Sequence, residues 1–315
     1  MLLIMKRLRT ILWAALLALP LTALSQGILP GNKIKKNADG ILSIMAFSVV
    51  PDLTSSFLSI DDSQVGSNRL FMTQFAGGET ISQKTPIYLE GSIALSRFDP
   101  TYVETMGREA RRLPARWNTI SGTAGIGYDI PLTSELVLRP IFNFSLGHLE
   151  SDLTLASRYL GNKLDTDAFD FLKYGKLNAY GLGGSIMLDY RLVKPQYEVD
   201  LELRYTNIQL QSFDSSTAVK GRAAAEAASV YARYRAPTGW TVMDRPLRYV
   251  LEAANTVYLG DQRGLLGFNN LSSVGLGIEF DSSKYDIMVT RTRVVARYAF
   301  GQNVRGFAVG LAVSF

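Results

Sequence analysis

The segment 303–315, NVRGFAVGLAVSF, constrains the fold of this chain more than any other stretch, because its residues alternate strictly in size. One parity carries large apolar side chains and the other only small ones: Phe307, Val309, Leu311, Val313 and Phe315 against Gly306, Ala308, Gly310, Ala312 and Ser314. A period of two belongs to a β-strand with two unlike faces. A soluble sheet would turn charged residues or threonine to water on its second face. The pattern therefore predicts a strand whose apolar face meets lipid.

The same alternation recurs along the chain and predicts twelve strands, over residues 43–59, 68–76, 86–97, 117–130, 135–147, 179–192, 197–205, 225–236, 247–259, 271–281, 286–300 and 303–315. Aromatic residues bracket several of the apolar rows, as they do at the two interfaces of a membrane. Pro51 has no amide hydrogen to donate, so we expect it at a bulge, an edge or the start of the first strand. The predicted fold is all-β: a twelve-stranded antiparallel transmembrane β-barrel of the bacterial outer membrane, built by residues 43–315.

The spacing between the strands supports this fold, because outer-membrane barrels have short periplasmic turns and longer outer loops. Short connections are predicted at 77–85, 131–134, 193–194, 237–244 and 281–284. Longer ones are predicted at 60–67, 99–116, 149–176, 212–224 and 260–270, with a tight one near Gln302. The longest loop, 149–176, contains Tyr159, Leu160, Phe169, Phe171 and Tyr174. So many large side chains predict that this loop folds against the rim or into the lumen.

Residues 1–25 are expected to be a secretory signal peptide, with Lys6, Arg7 and Arg9 followed by the apolar stretch 11–24. About 14 apolar residues are short of the ~20 that a spanning helix needs. Cleavage before Gln26 leaves 26–42 as a short N-terminal segment in the periplasm or the lumen. It also removes three positive and no negative charges, which lowers the formal net charge from +5 to +2. No nucleic-acid partner is therefore expected.

The amino-acid composition excludes several kinds of site. The chain has no cysteine and one histidine, His148, so disulfides, thiolate metal sites and histidine-rich metal sites are excluded. His148 is followed by Glu150 and Ser151 without a recognisable nucleophile motif. We predict no catalytic residue, no metal site and no cofactor.

Charged residues of both signs fall on the inward parity of the predicted strands. The lumen charge network is predicted to include Glu198, Asp200, Glu202, Arg204, Arg291, Arg293 and Arg297, and the same parity carries Glu90, Asp189, Arg191, Arg233, Arg235, Arg248, Glu252 and Glu279. One interpretation is an electrostatic constriction of an ion path. The other is a lattice of salt bridges between strands that holds the wall and fills the lumen.

Two soluble folds compete with the barrel: a periplasmic β-sandwich and an eight-stranded lipocalin-like cup. Both would bury the apolar faces and expose Glu198, Asp200 and Glu202 to water. The small residues opposite the apolar rows favour the membrane barrel, because soluble surfaces rarely carry them in series. A basic run in the 99–116 loop either meets lipopolysaccharide phosphates or is solvated: Arg108, Arg111, Arg112 and Arg116.

Phe315, a terminal aromatic that closes an apolar alternation, resembles the C-terminal signature that the barrel-assembly machinery reads in outer-membrane β-barrels. Together with the hairpin 117–147 and the last three strands, it makes the chain resemble the translocator domain of autotransporters. The resemblance implies outer-membrane lipids, lipopolysaccharide and the assembly machinery as partners, a monomer, and an N-terminal segment threaded through the lumen. Autotransporters carry a large passenger before the barrel, whereas here only 26–42 precedes the first predicted strand. The chain is thus expected to be a solitary barrel without a passenger.

Two segments are candidates to fill the lumen, where Gly306, Ala308, Gly310 and Ala312 leave room. Residues 27–40 would bring Lys33, Lys35 and Lys36 to the acidic row of Glu198, Asp200 and Glu202, while the loop 149–176 would enter from the other end. A twelve-stranded barrel is wider than one that its own side chains fill. The expected function is a structural surface protein or a narrow, plugged pore. The alternative is an enzyme at the barrel rim, a lipid hydrolase or a protease.

Overall fold

The computed structural model describes residues 33–50, 55–62, 69–99, 101–106, 109–114, 116–151, 176–213, 221–242, 245–266, 268–281, 291–302 and 304–314. The predicted signal peptide 1–25, the start of the 26–42 segment, most of the aromatic loop and Phe315 lie outside these residues. Within them the chain forms a helix, α1 (Lys33–Val49), followed by strands. The strands are β1 (Ser55–Asp62), β2 (Arg69–Thr80), β3 (Ile87–Asp99), β4 (Thr101–Met106), β5 (Glu109–Pro114), β6 (Trp117–Tyr128), β7 (Ile130–Pro131), β8 (Leu136–Ser151), β9 (Lys176–Val193), β10 (Glu198–Phe213), β11 (Arg222–Val242), β12 (Arg245–Tyr258), β13 (Asn270–Asp281), β14 (Arg291–Gly301) and β15 (Val304–Ser314).

The strands form a closed antiparallel sheet. Its order is β6-β3-β2-β1-β15-β14-β13-β12-β11-β10-β9-β8-β7, and β6 also pairs with β8. β1 joins the two ends of the chain, because it pairs with β15 from Ser55↔Leu311 to Asp62↔Val304 and with β2 on its other side. Of the thirteen strands of this sheet, β7 has two residues and the other twelve form the wall. The predicted twelve-stranded barrel is therefore confirmed.

Side chains alternate between the outside and the lumen along these strands. On β3, Leu89, Ile93 and Leu95 are exposed, while Glu90 and Ser92 between them are buried. Exposed rows of this kind recur around the wall, for example Val274, Leu276 and Ile278 on β13. Charges and hydroxyls thus face inward and aliphatic side chains outward, the reverse of a soluble protein.

Rings border the apolar outer band near both ends of the barrel. Near one end Tyr234 lies between Tyr197 and Tyr249, with ring centroids 5.9 and 6.0 Å apart. Near the other end Tyr298 contacts Phe300 and Phe307, with centroids 6.0 and 5.2 Å apart. Such paired girdles are typical of the two membrane interfaces.

The two ends of the barrel differ in their connections. At the short-turn end lie the turns after Thr80, Pro131 and Val193, and at the long-loop end lie the connections after Asp99, Ser151 and Tyr258. By the rule that short turns are periplasmic, the long-loop end faces outward. Two details differ from the sequence-based prediction. The predicted loop 99–116 contains the hairpin of β4 and β5, and the predicted turn 237–244 is largely strand, because β11 continues to Val242 past a bulge at Pro237.

The predicted first strand, 43–59, is wrong in its first half. Residues up to Val49 are helical, and the strand begins only at Ser55. The helix also crosses the predicted boundary between residues 42 and 43. Its apolar residues Leu42, Met45 and Val49 follow the helical spacing i, i+3, i+7. Among the described residues, no helix is long and apolar enough to span a membrane.

We predict that an arginine substituted on the outer face destabilises the barrel only in the middle of the apolar outer band. Ile93 and Ile81 are 61% and 58% exposed, but Ile93 lies in the middle of β3 and Ile81 in a turn. Ile93→Arg should lower the free energy of unfolding by about 2–4 kcal/mol and Ile81→Arg by about 0–1 kcal/mol, because the cost of a lipid-facing cation depends on depth. Urea unfolding in lipid vesicles measures both values. Equal costs for the two substitutions would contradict a lipid-facing band on β3.

Candidate functional site in the barrel lumen

Helix α1 lies inside the barrel, in the half of the lumen nearer the long-loop end. Every residue from Leu42 to Val49 is buried. One face of the helix packs against the inner wall of five strands, β6 and β8 to β11. The residues of this contact are Leu42, Met45, Ala46, Val49, Trp117, Leu149, Leu177, Ala179, Ile208, Leu210, Ala223 and Ala225. The segment 42–49, in which only Ser43 and Ser48 are polar, suits such a core, because no side of it meets water.

The opposite face of α1 meets a second apolar cluster. Ile44 and Phe47 pack there with Leu70, Phe98, Leu266, Phe268 and Val304. The ring of Phe47 lies 4.9 Å from that of Tyr258 and 6.2 Å from that of Phe268.

The connection between β12 and β13 supplies two members of this second cluster. We call residues 259–269 the inner loop. Gln262, fully buried, fixes the loop to β11, because its Nε2 donates to the carbonyl of Glu226 at 3.2 Å and its Oε1 accepts from the amide of Glu226 at 3.3 Å. The inner loop was missed in the sequence analysis, although three large apolar residues in a predicted outer loop signalled it: Leu265, Leu266 and Phe268.

The C-terminus of α1 is capped by side chains of the barrel. Thr123 Oγ1 donates to the carbonyl of Val49 at 2.8 Å, and Gln74 Nε2 donates to the carbonyl of Val50 at 3.1 Å. Ser121 Oγ donates to Ser48 Oγ at 2.9 Å, and Ser48 Oγ donates to the carbonyl of Met45 at 2.8 Å. The last carbonyls of a helix have no partner within it, so burying them requires donors from elsewhere. The inner wall thus caps the C-terminus of the helix with polar side chains at mid-height of the lumen. We call Gln74, Ser121 and Thr123 the end-stop.

Met45 packs against the wall at a position that carries no side chain. Gly147 on β8 faces the helix, and a side-chain carbon added there would collide with Met45, whose Sδ would lie 2.5 Å away. The absence of a side chain at this one position lets the helix approach the wall.

Below the end-stop lies a fully buried ion pair. Arg204 donates two hydrogen bonds to Glu90, at 2.8 and 2.7 Å. Asn143 Nδ2 donates to the same carboxylate at 2.7 Å, and Ser185 Oγ donates to Asn143 Oδ1 at 2.8 Å. A buried pair of this kind is stable only when its remaining hydrogen-bonding capacity is met, which this network does.

The lumen nearer the short-turn end, here called the lower lumen, contains an arginine-rich lattice. Arg235 lies 2.6 Å from Glu198, 3.1 Å from Asp200 and 3.1 Å from Glu279. Arg248 and Arg291 also contact Glu198, at 2.5 and 3.1 Å. Arg233 Nε donates to Asp200 at 3.0 Å, and Arg297 donates twice to Glu252, at 2.8 and 2.6 Å. Salt bridges inside the lumen therefore connect strands β10 to β14 of the wall.

The structure places all seven residues predicted for the charge network inside the barrel, and six of them fall into two groups. Arg204 joins Glu90, whereas Arg291, Arg293 and Arg297 belong to the lattice with Glu198 and Asp200. Glu202 makes no hydrogen bond or ion pair with any described residue.

The expected contact of Lys33, Lys35 and Lys36 with the acidic row falls on side chains outside the described part of the structure. Among the described residues, Glu198 and Asp200 pair with arginines of β11, β12 and β14. Asp39, four residues before Ser43, accepts a hydrogen bond from the amide of Arg222 at the long-loop end. The segment that enters the lumen is apolar, and residues 152–175 of the rival loop lie outside the described part.

His148 lies outside the lumen network. Its Nδ1 is 2.7 Å from Asn178 Oδ1, and its Nε2 is 3.7 Å from Glu150. In the described part of the chain, no three histidine, aspartate or glutamate side chains converge as they would around a metal ion.

A closed antiparallel barrel with an apolar outer band, aromatic girdles and a polar lumen is a transmembrane β-barrel, the form that spans the bacterial outer membrane. No protein-family model and no curated protein match the chain.

Several solved structures are similar to it. The β domain of the Bordetella autotransporter BrkA is 11% identical, with 84% of this chain and 100% of that one covered and a TM-score of 0.47. The translocator domain of the autotransporter NalP from Neisseria meningitidis is 10% identical, with 83% and 87% covered and a TM-score of 0.44. The KdgM porin in complex with disordered oligogalacturonate is 8% identical, with 83% and 99% covered and a TM-score of 0.38. Autotransporter barrels are thus among the similar structures, and at these scores none identifies a function.

We predict that the end-stop contributes measurably to stability. Thr123→Val removes the donor to the carbonyl of Val49, which leaves that buried group unpaired and should cost about 1–3 kcal/mol of unfolding free energy. Thr119→Val is the matched control, because Thr119 lies on the same inner row of β6 and its buried hydroxyl has no hydrogen-bond partner among the described residues. It should be neutral or stabilising. Urea unfolding of both variants measures the difference, and similar costs would contradict the capping role of Thr123.

Proposed function

We propose that this protein is a non-enzymatic, self-plugged barrel of the outer membrane, whose own helix α1 closes the pore. The observation that carries the proposal is the burial of Leu42 to Val49 between two apolar clusters of the wall. These eight helical residues span about 12 Å along the lumen, at 1.5 Å per residue. An ion would have to displace apolar side chains to pass them, which is how hydrophobic constrictions close channels.

Two further layers support a closed lumen. The inner loop covers the face of α1 that the wall leaves free, through Leu266 and Phe268. Beneath the helix, the Glu90–Arg204 pair and the arginine-rich lattice cross the same cavity. Twelve strands enclose more space than the side chains of an eight-stranded barrel fill. Three kinds of filling, apolar, polar and ionic, therefore occupy what would otherwise be a channel.

The proposal makes the protein a structural component of the outer membrane that acts as a monomer, with membrane lipids and lipopolysaccharide around it and the barrel-assembly machinery inserting it. The rim-enzyme alternative depended on His148. That side chain lies beside Asn178 and Glu150, with no serine or threonine hydroxyl among its hydrogen-bond partners in the described residues.

Single-channel recording in planar bilayers tests the plug. The full mature chain should show little conductance, and deletion of residues 33–49 should produce steady open steps, because it empties the upper half of the lumen. Shortening the inner loop by replacing residues 261–268 with a Gly-Ser linker should raise conductance less, because the helix remains. A large, steady conductance of the unmodified protein would refute the plug.

A point-mutant series tests the same claim without a deletion. Gly147→Leu should open the channel, because its side chain takes the space of Met45. Adding Met45→Ala to that variant should restore closure by returning the volume. Gly122→Leu is the control: a carbon added there meets only a backbone oxygen, at 3.5 Å, and conductance should not change. If Gly147→Leu alone is as closed as the wild type while folded, the helix does not close the pore.

A further inference from the structure

Arginines outnumber carboxylates in the ion pairs of the lattice in the lower lumen. Four carboxylates pair there with seven arginines: Glu198, Asp200, Glu252 and Glu279 with Arg191, Arg233, Arg235, Arg248, Arg291, Arg293 and Arg297. Buried guanidinium groups are tolerated when each is hydrogen-bonded to an acceptor. Not every guanidinium of this lattice has all its donors hydrogen-bonded to an acceptor.

The carboxylates nearest to Arg293 are already engaged. Both oxygens of Glu252 accept hydrogen bonds, one from Arg297 at 2.8 and 2.6 Å and the other from the hydroxyl of Tyr231 at 2.6 Å. Both oxygens of Glu279 accept from Arg235, at 3.1 and 3.4 Å. Neither carboxylate forms a hydrogen bond with the guanidinium of Arg293 in this arrangement.

Arg293 is the arginine left over. Its side chain is only 8% exposed, yet its closest approaches to carboxylates are 3.5 Å, to Glu252, and 3.7 Å, to Glu279. It makes no hydrogen bond with any described residue. A guanidinium carries five N–H donors in a planar fork that matches carboxylate and phosphate oxygens. A buried guanidinium that has no hydrogen-bonded acceptor can bind an oxyanion.

We propose that Arg293 is the centre of an oxyanion-binding site in the lower lumen, which takes a phosphate group, free or carried by a larger molecule. Arg297 adds to the site, because its Nη1 has no hydrogen-bond partner among the described residues. Phosphate fits these unpartnered donors better than a neutral ligand, since a doubly charged anion with several acceptor oxygens satisfies more than one guanidinium. The site lies below α1 and does not depend on the proposed plug.

The exposure of the arginines on β14 marks an entrance for the anion. Side-chain exposure falls from 26% at Arg291, the first residue of β14, to 8% at Arg293. The arginines therefore lead inward from the short-turn end, and a basic path of this kind attracts anions.

Thermal unfolding of the intact protein in detergent, with added inorganic phosphate, tests the site. A bound anion raises the midpoint in a saturable way, because it binds the folded state alone. Chloride at matched ionic strength controls for screening. The wild type and Arg305→Gln, a change of an exposed arginine at the long-loop end, should respond equally. Arg293→Gln should raise the half-saturating phosphate concentration by about tenfold or more, because the variant loses one charge-assisted hydrogen-bonded pair with the anion.

Arg293→Lys is a second variant for the case that Arg293→Gln does not assemble. It keeps the charge but loses the planar fork, so the half-saturating concentration should still rise by roughly severalfold. The proposal is overturned if phosphate and chloride act alike on the wild type, or if the folded Arg293 variants respond as the wild type does. To distinguish the two possible sources of the phosphate group, the titration is repeated with a short-chain phospholipid. A response to inorganic phosphate alone assigns the site to a free anion, and a response to both assigns it to a headgroup as well.

Discussion

The requirement that every backbone polar group find a partner within the membrane governs this structure. Lipid offers no hydrogen bonds, so a sheet that crosses it has to close on itself. β1 meets that requirement by pairing with β15 on one side and β2 on the other. Closure with twelve strands then creates a second problem, because it encloses a cavity that side chains alone do not fill. The contents of the lumen therefore distinguish this chain from a barrel that is filled by the side chains of its own strands.

The same requirement shapes the filling of the lumen. A helix satisfies its own backbone except at its ends, so it can lie in the cavity if its end is capped. Gln74, Ser121 and Thr123 supply those donors from β2 and β6, at the depth where α1 stops. Above that depth the helix contacts apolar side chains of the wall, with Trp117 and Leu149 among them. Below that depth, the inner wall carries charged side chains.

Much of this could be predicted from the sequence, because strand alternation depends only on which face a residue takes. Inward Glu198 and outward Leu201 follow from parity alone. The partners of Glu198 do not, because they depend on the register of β10 to β14 and on contacts across the lumen. The helix was missed because a strand was extended through Pro51, although Leu42, Met45 and Val49 had helical spacing. The inner loop was missed because its role exists only once the helix is in place.

Disulfide formation between Ser48→Cys and Ser121→Cys tests the central claim most directly. The two hydroxyl oxygens are 2.9 Å apart, one on α1 and the other on β6, and the chain has no cysteine of its own. Ser185→Cys with Thr206→Cys is the control, because its 2.9 Å contact lies within the wall and involves no helix residue. If α1 occupies the lumen, both pairs should oxidise to near completion in the membrane-inserted barrel, detected by thiol labelling. A free thiol at position 48 alongside a fully oxidised control pair would show that the helix is not held in the lumen.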